Sequence, residues 1–446
     1  MDKAFFAGIG GIGMSKLALL YKDIGFEVEG SDVRYSDSVK ELEKSGIKIF
    51  IGHDAKHIDM SFSKFIYSSA IKENNPELIE AKKLGIPVFS RGKALAEIVN
   101  KYKSVVVSGT HGKTTTTSLI GHILKSSEFS ANVYVGGIDN EFNRFDRNAD
   151  YFVVESDESD GSFLYFNPDI LIITNIDRDH LNHYDWSFDK LKESFALLAS
   201  KSKLSIASMD DENAYEISKP YPHKYFGLNK DADMYAENIR YEKDGVYFEV
   251  KGAFGNTDVF LPLLGDKNIS NALAALLAVS TIGINLELGV SALKTFKPPA
   301  RRMELKGIRN GILIIDDHAD HPTEIYATLS ALKKHYPDKR LVAVYQPHRY
   351  SRVKMLGDEI ARPFELADIV IVMEIYGAFE EPISGINGRY VNDLIEKKYP
   401  DKELFFAENE RSVIPILKKI LKKGDIVVLL GPGDIEELAP LLLKEL

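Results

Sequence analysis

The sequence predicts a soluble α/β protein with parallel strands, built from about three domains. Three observations lead there. Short apolar runs alternate with helix-spaced patterns almost throughout. Glycine loops follow apolar runs twice, at residues 8–13 and 109–112, each opening a helical pattern. The length, 446 residues, matches three domains at about 150 residues each.

Composition narrows the classes. Hydrophobic residues make up 44% and charged residues 27%, enough apolar mass for a sizeable core. The formal net charge of −10 argues against nucleic acid as the main partner. With no cysteine, disulfides, thiolate metal sites and thiol catalysis are excluded. The opening "MDKAFFAGIGGIG" carries an acid at position 2 and glycines within its apolar run, unlike a signal peptide or a membrane span. The expected location is the cytoplasm, with no membrane partner.

The elements follow in order. "AFFAGIG" is a strand entering a glycine loop, "MSKLALLYKDIG" a helix and "FEVEGSD" a second strand. "KIFIG", "SKFIYSSA" and "IPVFS" are further short strands. Near residue 100 the polar helix "RGKALAEIVNKYK" gives way to "SVVVSG", which begins a new set. There "DYFVVESDESD", "PDILIITNIDRDH" and "KLSIAS" are strands running into polar loops. "VYFEVKG" and "DVFLPLLG" look antiparallel, and "NISNALAALLAVSTIG" is a buried helix with a glycine cap. The proline pair in "FKPPARR" marks a boundary near 297. "GILIIDD", "RLVAVYQ", "DIVIVME" and "DIVVLLGPGD" then repeat the α/β rhythm. The expected domains are 1–100, 101–297 and 298–446.

Two loops carry the signature of phosphate binding. Gly8-Ile-Gly10-Gly11-Ile12-Gly13 fits GxGxxG between a strand and a helix, where bare backbone and the helix N-terminus suit a pyrophosphate. Asp32 ends the second strand, where a ribose-reading acid often sits. The loop alone fits an NAD-dependent oxidoreductase as well as another nucleotide-diphosphate binder. The second loop, Gly109-Thr110-His111-Gly112-Lys113-Thr114-Thr115, offers a lysine for terminal phosphates and a threonine hydroxyl for Mg²⁺. The usual first glycine of a P-loop is replaced by Val107. Two phosphate loops in one chain imply two phosphorylated ligands, which weakens a pure oxidoreductase and a pure nucleotide switch.

Polar loops at strand ends supply further candidates. Glu155, Asp157, Glu158 and Asp160 are hard oxygen ligands suited to Mg²⁺. Asp177, Asp179 and His180 share the next loop. "DDHADHP" at 316–322 is dense in carboxylates and imidazoles. In "YQPHRYSR", Arg349 and Arg352 are three apart, so they could share a helix face, and their forked donors suit a carboxylate or phosphate.

In this order, "GIGGIGMS", "YSSAIKENNPE", "GTHGKTTTT", "ESDESDGSF", "TNIDRDH", "NISNALAA", "RRMELKG", "QPHRYSR" and "YGAFEEPISGI" make the chain resemble the Mur ligase family over nearly its whole length. The family's loop is the short G-T-x-G-K-[ST], which accounts for Val107. The resemblance implies an N-terminal Rossmann-like domain for a UDP-sugar, a central P-loop ATPase domain and a C-terminal Rossmann-like domain for an amino acid. It implies ATP-driven joining of L-alanine to the lactyl carboxylate of UDP-N-acetylmuramate in peptidoglycan precursor synthesis, with Mg²⁺, by a monomer or homodimer. "QPHRYSR" and "ESDES" favour the member that takes one amino acid over the one that joins a whole peptide to the same sugar.

Carried over by position, Lys113 contacts ATP phosphates, and Thr114, Glu155 and His180 bind metal. Asn268 and Asn271 lie in the adenine-contacting segment, Arg302 near the phosphates and Asp317 near the ribose. Gly10, Gly11, Ile12, Asp32 and Ser69 line the UDP-sugar site, and His348, Arg349 and Arg352 receive the amino acid. Two residues depart from the family's Asp-Asp-Tyr-(Gly/Ala)-His-His-Pro: His318 replaces the tyrosine and Asp320 a histidine. Lys267 stands where a histidine usually precedes the adenine-site asparagine.

Overall fold

The computed structural model describes residues 2–127, 129–136, 145–378 and 380–446, so Phe379 of the "YGAFEEPISGI" motif lies outside the described residues. The chain divides into two compact units. The first comprises Met1–Glu237, Val250–Thr257 and Ser270–Leu293; the second comprises Asn238–Glu249, Asp258–Ile269 and Lys294–Leu446.

The first unit opens with strands β1 (Lys3–Ala7), β2 (Glu27–Asp32), β3 (Lys48–Ile51), β4 (Lys64–Tyr67) and β5 (Val88–Ser90), and helices α1 (Ile12–Asp23), α2 (Asp37–Lys44), α3 (Pro76–Lys83) and α4 (Arg91–Val99). The sheet order is β3-β2-β1-β4-β5, with every observed pairing parallel. The order reverses at β1, where open α/β sheets bind ligands beyond their carboxyl edge. Helix starts follow local chemistry: the Asn75 side chain accepts from the Glu77 and Leu78 amides, and Pro76 needs no amide partner at the first helical position.

The central strands are β6 (Lys103–Ser108), β7 (Ala131–Tyr134), β8 (Tyr151–Glu155), β9 (Ile170–Ile173), β10 (Leu204–Ser208), β11 (His223–Gly227), β12 (Met234–Glu242), β13 (Gly245–Gly252) and β14 (Thr257–Leu261). They order as β14-β13-β12-β11-β10-β9-β6-β8-β7. Helices α5 (Lys113–Ser126), α6 (Phe188–Lys201), α7 (Glu212–Ser218), α8 (Asp266–Thr281) and α9 (Leu286–Leu293) accompany them. Ala272–Val279 of α8 is buried at every residue, so the unbroken "ALAALLAV" marks a helix apolar all round. One buried cluster in this unit runs from Phe6, Leu17 and Tyr21 through Leu95 and Ile98 to Phe163 and Phe195. Removing such a side chain from water contributes about 1.5–3 kcal/mol.

The second unit holds β15 (Glu304–Arg309), β16 (Ile312–Asp317), β17 (Leu341–Tyr345), β18 (Ile369–Met373), β19 (Glu403–Ala407) and β20 (Ile426–Leu430), with α10 (Pro322–His335), α11 (Tyr350–Leu356), α12 (Gly388–Lys398), α13 (Glu410–Ile420) and α14 (Leu438–Glu445). The order is β15-β16-β20-β17-β18-β19, parallel except for the antiparallel edge strand β15. β17, β18 and β20 are buried at every residue, the expected state of parallel strands covered on both faces.

Candidate active site

Strand register builds the phosphate loop. Val107 lies inside β6, fully buried, opposite Glu155 on one side and Ile172 on the other. The loop therefore begins only at Gly109, whose φ of 126° requires glycine and where a Cβ would lie 2.2 Å from Thr174 Oγ1. Gly112, at φ 83°, caps α5 in the left-handed region, and a Cβ there would lie 2.5 Å from Asn271 Oδ1. Thus "NISNA" presses one asparagine against the loop; Thr116 Oγ1 also donates to Asn271 Oδ1 at 3.2 Å.

The segment after β9 clamps the loop from the other side. Thr110 N donates to Asn175 O at 3.0 Å and His111 N to Asn175 Oδ1 at 3.0 Å. Thr174 Oγ1 and Asn175 Nδ2 donate to the His111 carbonyl at 2.7 and 2.9 Å, and Asp177 N donates to Thr110 Oγ1 at 2.9 Å. His111 Nε2 meets Asp177 Oδ2 at 3.1 Å. Thr110 and His111 thus hold the loop's shape, leaving Lys113 and Thr114 at the start of α5 to face the acidic loop; Thr115 is buried.

Lys113 Nζ donates to Gly109 O at 2.6 Å, Thr110 O at 3.1 Å and Glu158 Oε2 at 2.7 Å. Burial opposes its charge, yet the carboxylates of Glu158 and Asp157 outweigh that and raise its pKa. Burial pushes Glu158 up to about 7 against the pull of Lys113, and Glu158 Oε1 has no hydrogen-bond partner among the described residues. Thr114 Oγ1 donates to Glu155 Oε1 at 2.8 Å, and Gly136 N donates to Glu155 Oε2 at 2.7 Å. This gives two hard oxygens side by side, one hydroxyl and one carboxylate, a donor pair that fits Mg²⁺. His180, at φ 56°, sits in the next loop beside Asp179, with Nε2 3.5 Å from Asp179 Oδ2.

The first glycine loop is closed by Asp32. Its Oδ2 accepts from Gly10 N at 2.8 Å and its Oδ1 from Arg34 N at 3.1 Å. Gly11 and Ile12 are exposed at the start of α1. Ser69 follows β4, where Ser68 N donates to Ala7 O at 3.1 Å, bringing the Ser68–Ser69 turn beside the loop. Sequence reasoning missed a buried network behind it: Glu77 accepts from Ser31 Oγ at 2.6 Å and meets His53 Nδ1 at 2.8 Å and His57 Nδ1 at 2.7 Å. Tyr134 Oη donates to Gly13 O at 2.8 Å and Lys16 Nζ to Val135 O at 3.1 Å, tying α1 to the β7 end of the central sheet.

In the second unit Asn268 Nδ2 donates to Leu264 O at 2.9 Å, while Lys267 pairs with Glu324 at 3.7 Å. Asp317 ends β16, buried; its carboxylate accepts from Ala319 N at 3.0 Å and Thr328 Oγ1 at 2.9 Å. Burial raises its pKa, with Arg302 and Thr328 opposing. Neighbouring Arg301 is structural: it donates to Asp316 at 3.0 Å and to Gly431 O at 2.6 Å. His318 is half-buried, and desolvation, with Arg302 and Arg301 nearby, lowers its pKa to about 3.

Arg349 and Arg352 do not share a helix face, contrary to the expectation from their spacing. α11 starts at Tyr350, and Arg349 precedes it at φ 64°, ψ 131°, a strained backbone that a non-glycine residue keeps only where its surroundings enforce it. The constraint is visible: Arg349 N donates to Tyr376 O at 2.9 Å and Tyr376 N to Pro347 O at 2.8 Å. Arg349 is exposed, and its guanidinium makes no ion pair among the described residues. Arg352, by contrast, is held by Asp320: its Nη1 donates to Asp320 Oδ2, and His348 Nδ1 meets the same oxygen at 2.9 Å.

What sequence reasoning missed was mainly the pairing of Glu158 with Lys113 and the Thr174–Asn175 clamp. Glu158 stood in the acidic loop singled out, but nothing in a single sequence says which carboxylate folds back onto the lysine. No described helix is long and apolar enough to cross a membrane.

Comparison with known proteins agrees along the chain. Residues 4–103 match the model "Mur ligase family, catalytic domain", 107–279 "Mur ligase middle domain" and 301–433 "Mur ligase, glutamate ligase domain". The chain is 38% identical to UDP-N-acetylmuramate–L-alanine ligase of Sulfurihydrogenibium sp. (strain YO3AOP1), over 100% of this chain and 98% of that protein. It is 40% identical to the protein of the same name in Persephonella marina, over 97% and 95%. The structure resembles UDP-N-acetylmuramate–alanine ligase from Thermotoga maritima, with a TM-score of 0.82 and 28% identity over 100% and 99% of the two chains. A murein peptide ligase from Psychrobacter arcticus gives a TM-score of 0.71 at 26% identity over 100% and 98%. The chain belongs to the Mur ligase family.

Proposed function

We propose that this chain is an ADP-forming acid–amino-acid ligase that joins L-alanine to the lactyl carboxylate of UDP-N-acetylmuramate in peptidoglycan precursor synthesis. The observation that carries it is full-length similarity to ligases of that name, in a chain whose Lys113 and Thr114 face Glu158 and Glu155. The Psychrobacter murein peptide ligase has the lower TM-score, which favours a single amino acid over a peptide as acceptor.

The chemistry needs an activated carboxylate. A carboxylate oxygen of the sugar attacks the γ-phosphorus of ATP, the bond to the β–γ bridging oxygen breaks, and ADP leaves. The neutral amine of L-alanine then attacks the acyl carbon, the carbon–oxygen bond to phosphate breaks, and the nitrogen gives one proton to solvent and keeps the other as the amide forms. Lys113 takes up charge on the transferring phosphoryl group by exchanging Glu158 for phosphate oxygens. Thr114 and Glu155, with His180, would hold Mg²⁺, which supplies further neutralisation of phosphate charge. Gly109–Thr115 cradles the phosphates, Asn268 and Asn271 serve the adenine, Asp317 the ribose, and Arg302 a phosphate. Gly10, Gly11, Ile12, Asp32 and Ser69 take the UDP-sugar. His348, Arg349 and Arg352 orient the amino acid. The enzyme works in the cytoplasm as a monomer or homodimer.

The test is phosphate release, assayed with each substrate omitted and with L-alanine, glycine, L-serine or a tripeptide as acceptor. Release should require ATP, UDP-N-acetylmuramate and L-alanine together. ATP hydrolysis that proceeds equally well without the sugar would remove the ligase reading, and preference for the tripeptide would make it a peptide ligase.

A further inference from the structure

Asp320 is one of the positions at which the sequence reading sets this chain apart from the motif it resembles, and it holds two of the groups expected to meet the amino acid. Its Oδ2 accepts from Arg352 Nη1 and lies 2.9 Å from His348 Nδ1. All three side chains are largely removed from solvent, with relative exposures of 12% for Asp320, 10% for Arg352 and 14% for His348. The arrangement is fixed from both ends. Tyr345 Oη, at the end of the fully buried β17, donates to Asp320 O at 3.4 Å, and the His348 ring lies parallel to Tyr376 with centroids 5.9 Å apart. Arg349, held by its backbone, is exposed, and its guanidinium makes no ion pair among the described residues.

A guanidinium and an imidazole converging on one carboxylate oxygen make the environment an α-carboxylate would seek. We propose that Asp320 is an internal stand-in for the carboxylate of the incoming amino acid: it occupies Arg352 and His348 until L-alanine displaces it, and so sets the affinity for that substrate. Arg349, whose guanidinium makes no ion pair among the described residues, offers the first contact, and the exchange at Arg352 follows. The cost of breaking the internal pair is charged against L-alanine alone, because ATP and the UDP-sugar gain nothing from it. Asp320 is on this account a positioning residue, acting through Arg352 and His348.

The inference rests on the ligase reading above, and its test separates the two. Asp320→Asn keeps the shape and removes the charge, so the substrate no longer competes with a full carboxylate. In steady-state phosphate release, KM for L-alanine should fall about tenfold, the equivalent of about 1.4 kcal/mol. KM for ATP and for UDP-N-acetylmuramate should stay within twofold of the parent (about 0.4 kcal/mol). L-alaninamide, which has no carboxylate, should show the same KM in both proteins. A gain confined to the carboxylate-bearing acceptor is not what structural damage produces.

An unchanged or raised KM for L-alanine would overturn the proposal, as would an equal fall for L-alaninamide. Loss of all turnover in a variant that keeps the parent's thermal midpoint would place Asp320 in the chemistry and also overturn it. Should Asp320→Asn not fold, Asp320→His, the side chain usual in the family, gives the same readout. Failure of both to fold would make the ion pair purely structural, again against the proposal. If the parent itself shows no alanine-dependent phosphate release, it is the ligase reading that fails.

Discussion

The phosphate loop and the His348–Arg352 turn solve one problem in two ways. Each presents a cation to which the proposed function gives an anionic ligand, and each holds it with an internal carboxylate: Lys113 on Glu158, and Arg352 on Asp320. At the phosphate loop every partner follows from parallel register. Val107 opposite Glu155 brings the acidic loop to Thr114, and Ser108 opposite Ile173 brings Thr174 and Asn175 onto the loop. At the second turn the holding residue is Asp320, which the sequence reading sets apart from the motif it resembles. The first arrangement is written into strand pairing, and the second depends on one side chain in a turn. A cation stored on an internal carboxylate avoids the larger penalty of an unpaired buried charge.

Four changes would break or sharpen that contrast, from the largest effect to the smallest. Lys113→Ala removes the only loop cation and should lower kcat by about a thousandfold in the phosphate-release assay, with the fold intact by circular dichroism. Near-normal turnover would take the loop out of the chemistry. Glu155→Gln should cost about a hundredfold in kcat and raise the Mg²⁺ concentration needed for half-maximal rate, since it weakens one of two paired oxygen donors. An unshifted Mg²⁺ titration would mean that Glu155 only anchors Gly136.

Gly112→Ala tests the packing beneath the loop. It puts a methyl group into a left-handed residue and against Asn271, and should destabilise by about 1–3 kcal/mol, read in urea unfolding. No loss would show that α8 yields easily. His318→Gln, in the second unit, should act through pH. The folded pKa of His318, about 3, lies below its ordinary value of 6.5, so the unfolded chain binds the proton more readily. The parent should therefore lose stability as pH falls below about 6.5. For this half-buried ring the loss is about 1 kcal/mol by pH 5. The variant should lack that component, so the gap between the two melting curves should narrow or reverse on acidification. Parallel curves from pH 7.5 down to about 5 would show that the imidazole is not held neutral.

Much of this was legible in the sequence because it is local or periodic. Both glycine loops sit between the strand and helix expected of them, and "ALAALLAV" reads directly as buried helix. What stayed hidden depends on which chain segments become neighbours. Val107 was already accounted for by the short loop, but its two strand partners, Glu155 and Ile172, were not. Spacing alone allowed Arg349 and Arg352 one face, but the carbonyl of Tyr376, far along the chain, captures Arg349 N, and the helix starts only at Tyr350. The grip of Glu77 on His53 and His57 likewise joins residues with no shared motif.

The central claim is that Lys113 and its loop pass a phosphoryl group to a carboxylate carried by the sugar. Oxygen-18 tracing tests it most directly. With both oxygens of the lactyl carboxylate labelled, each turnover with ATP and L-alanine should release phosphate carrying a single oxygen-18, transferred from the sugar as the carbon–oxygen bond breaks. Alanine-dependent release of wholly unlabelled phosphate would contradict the account.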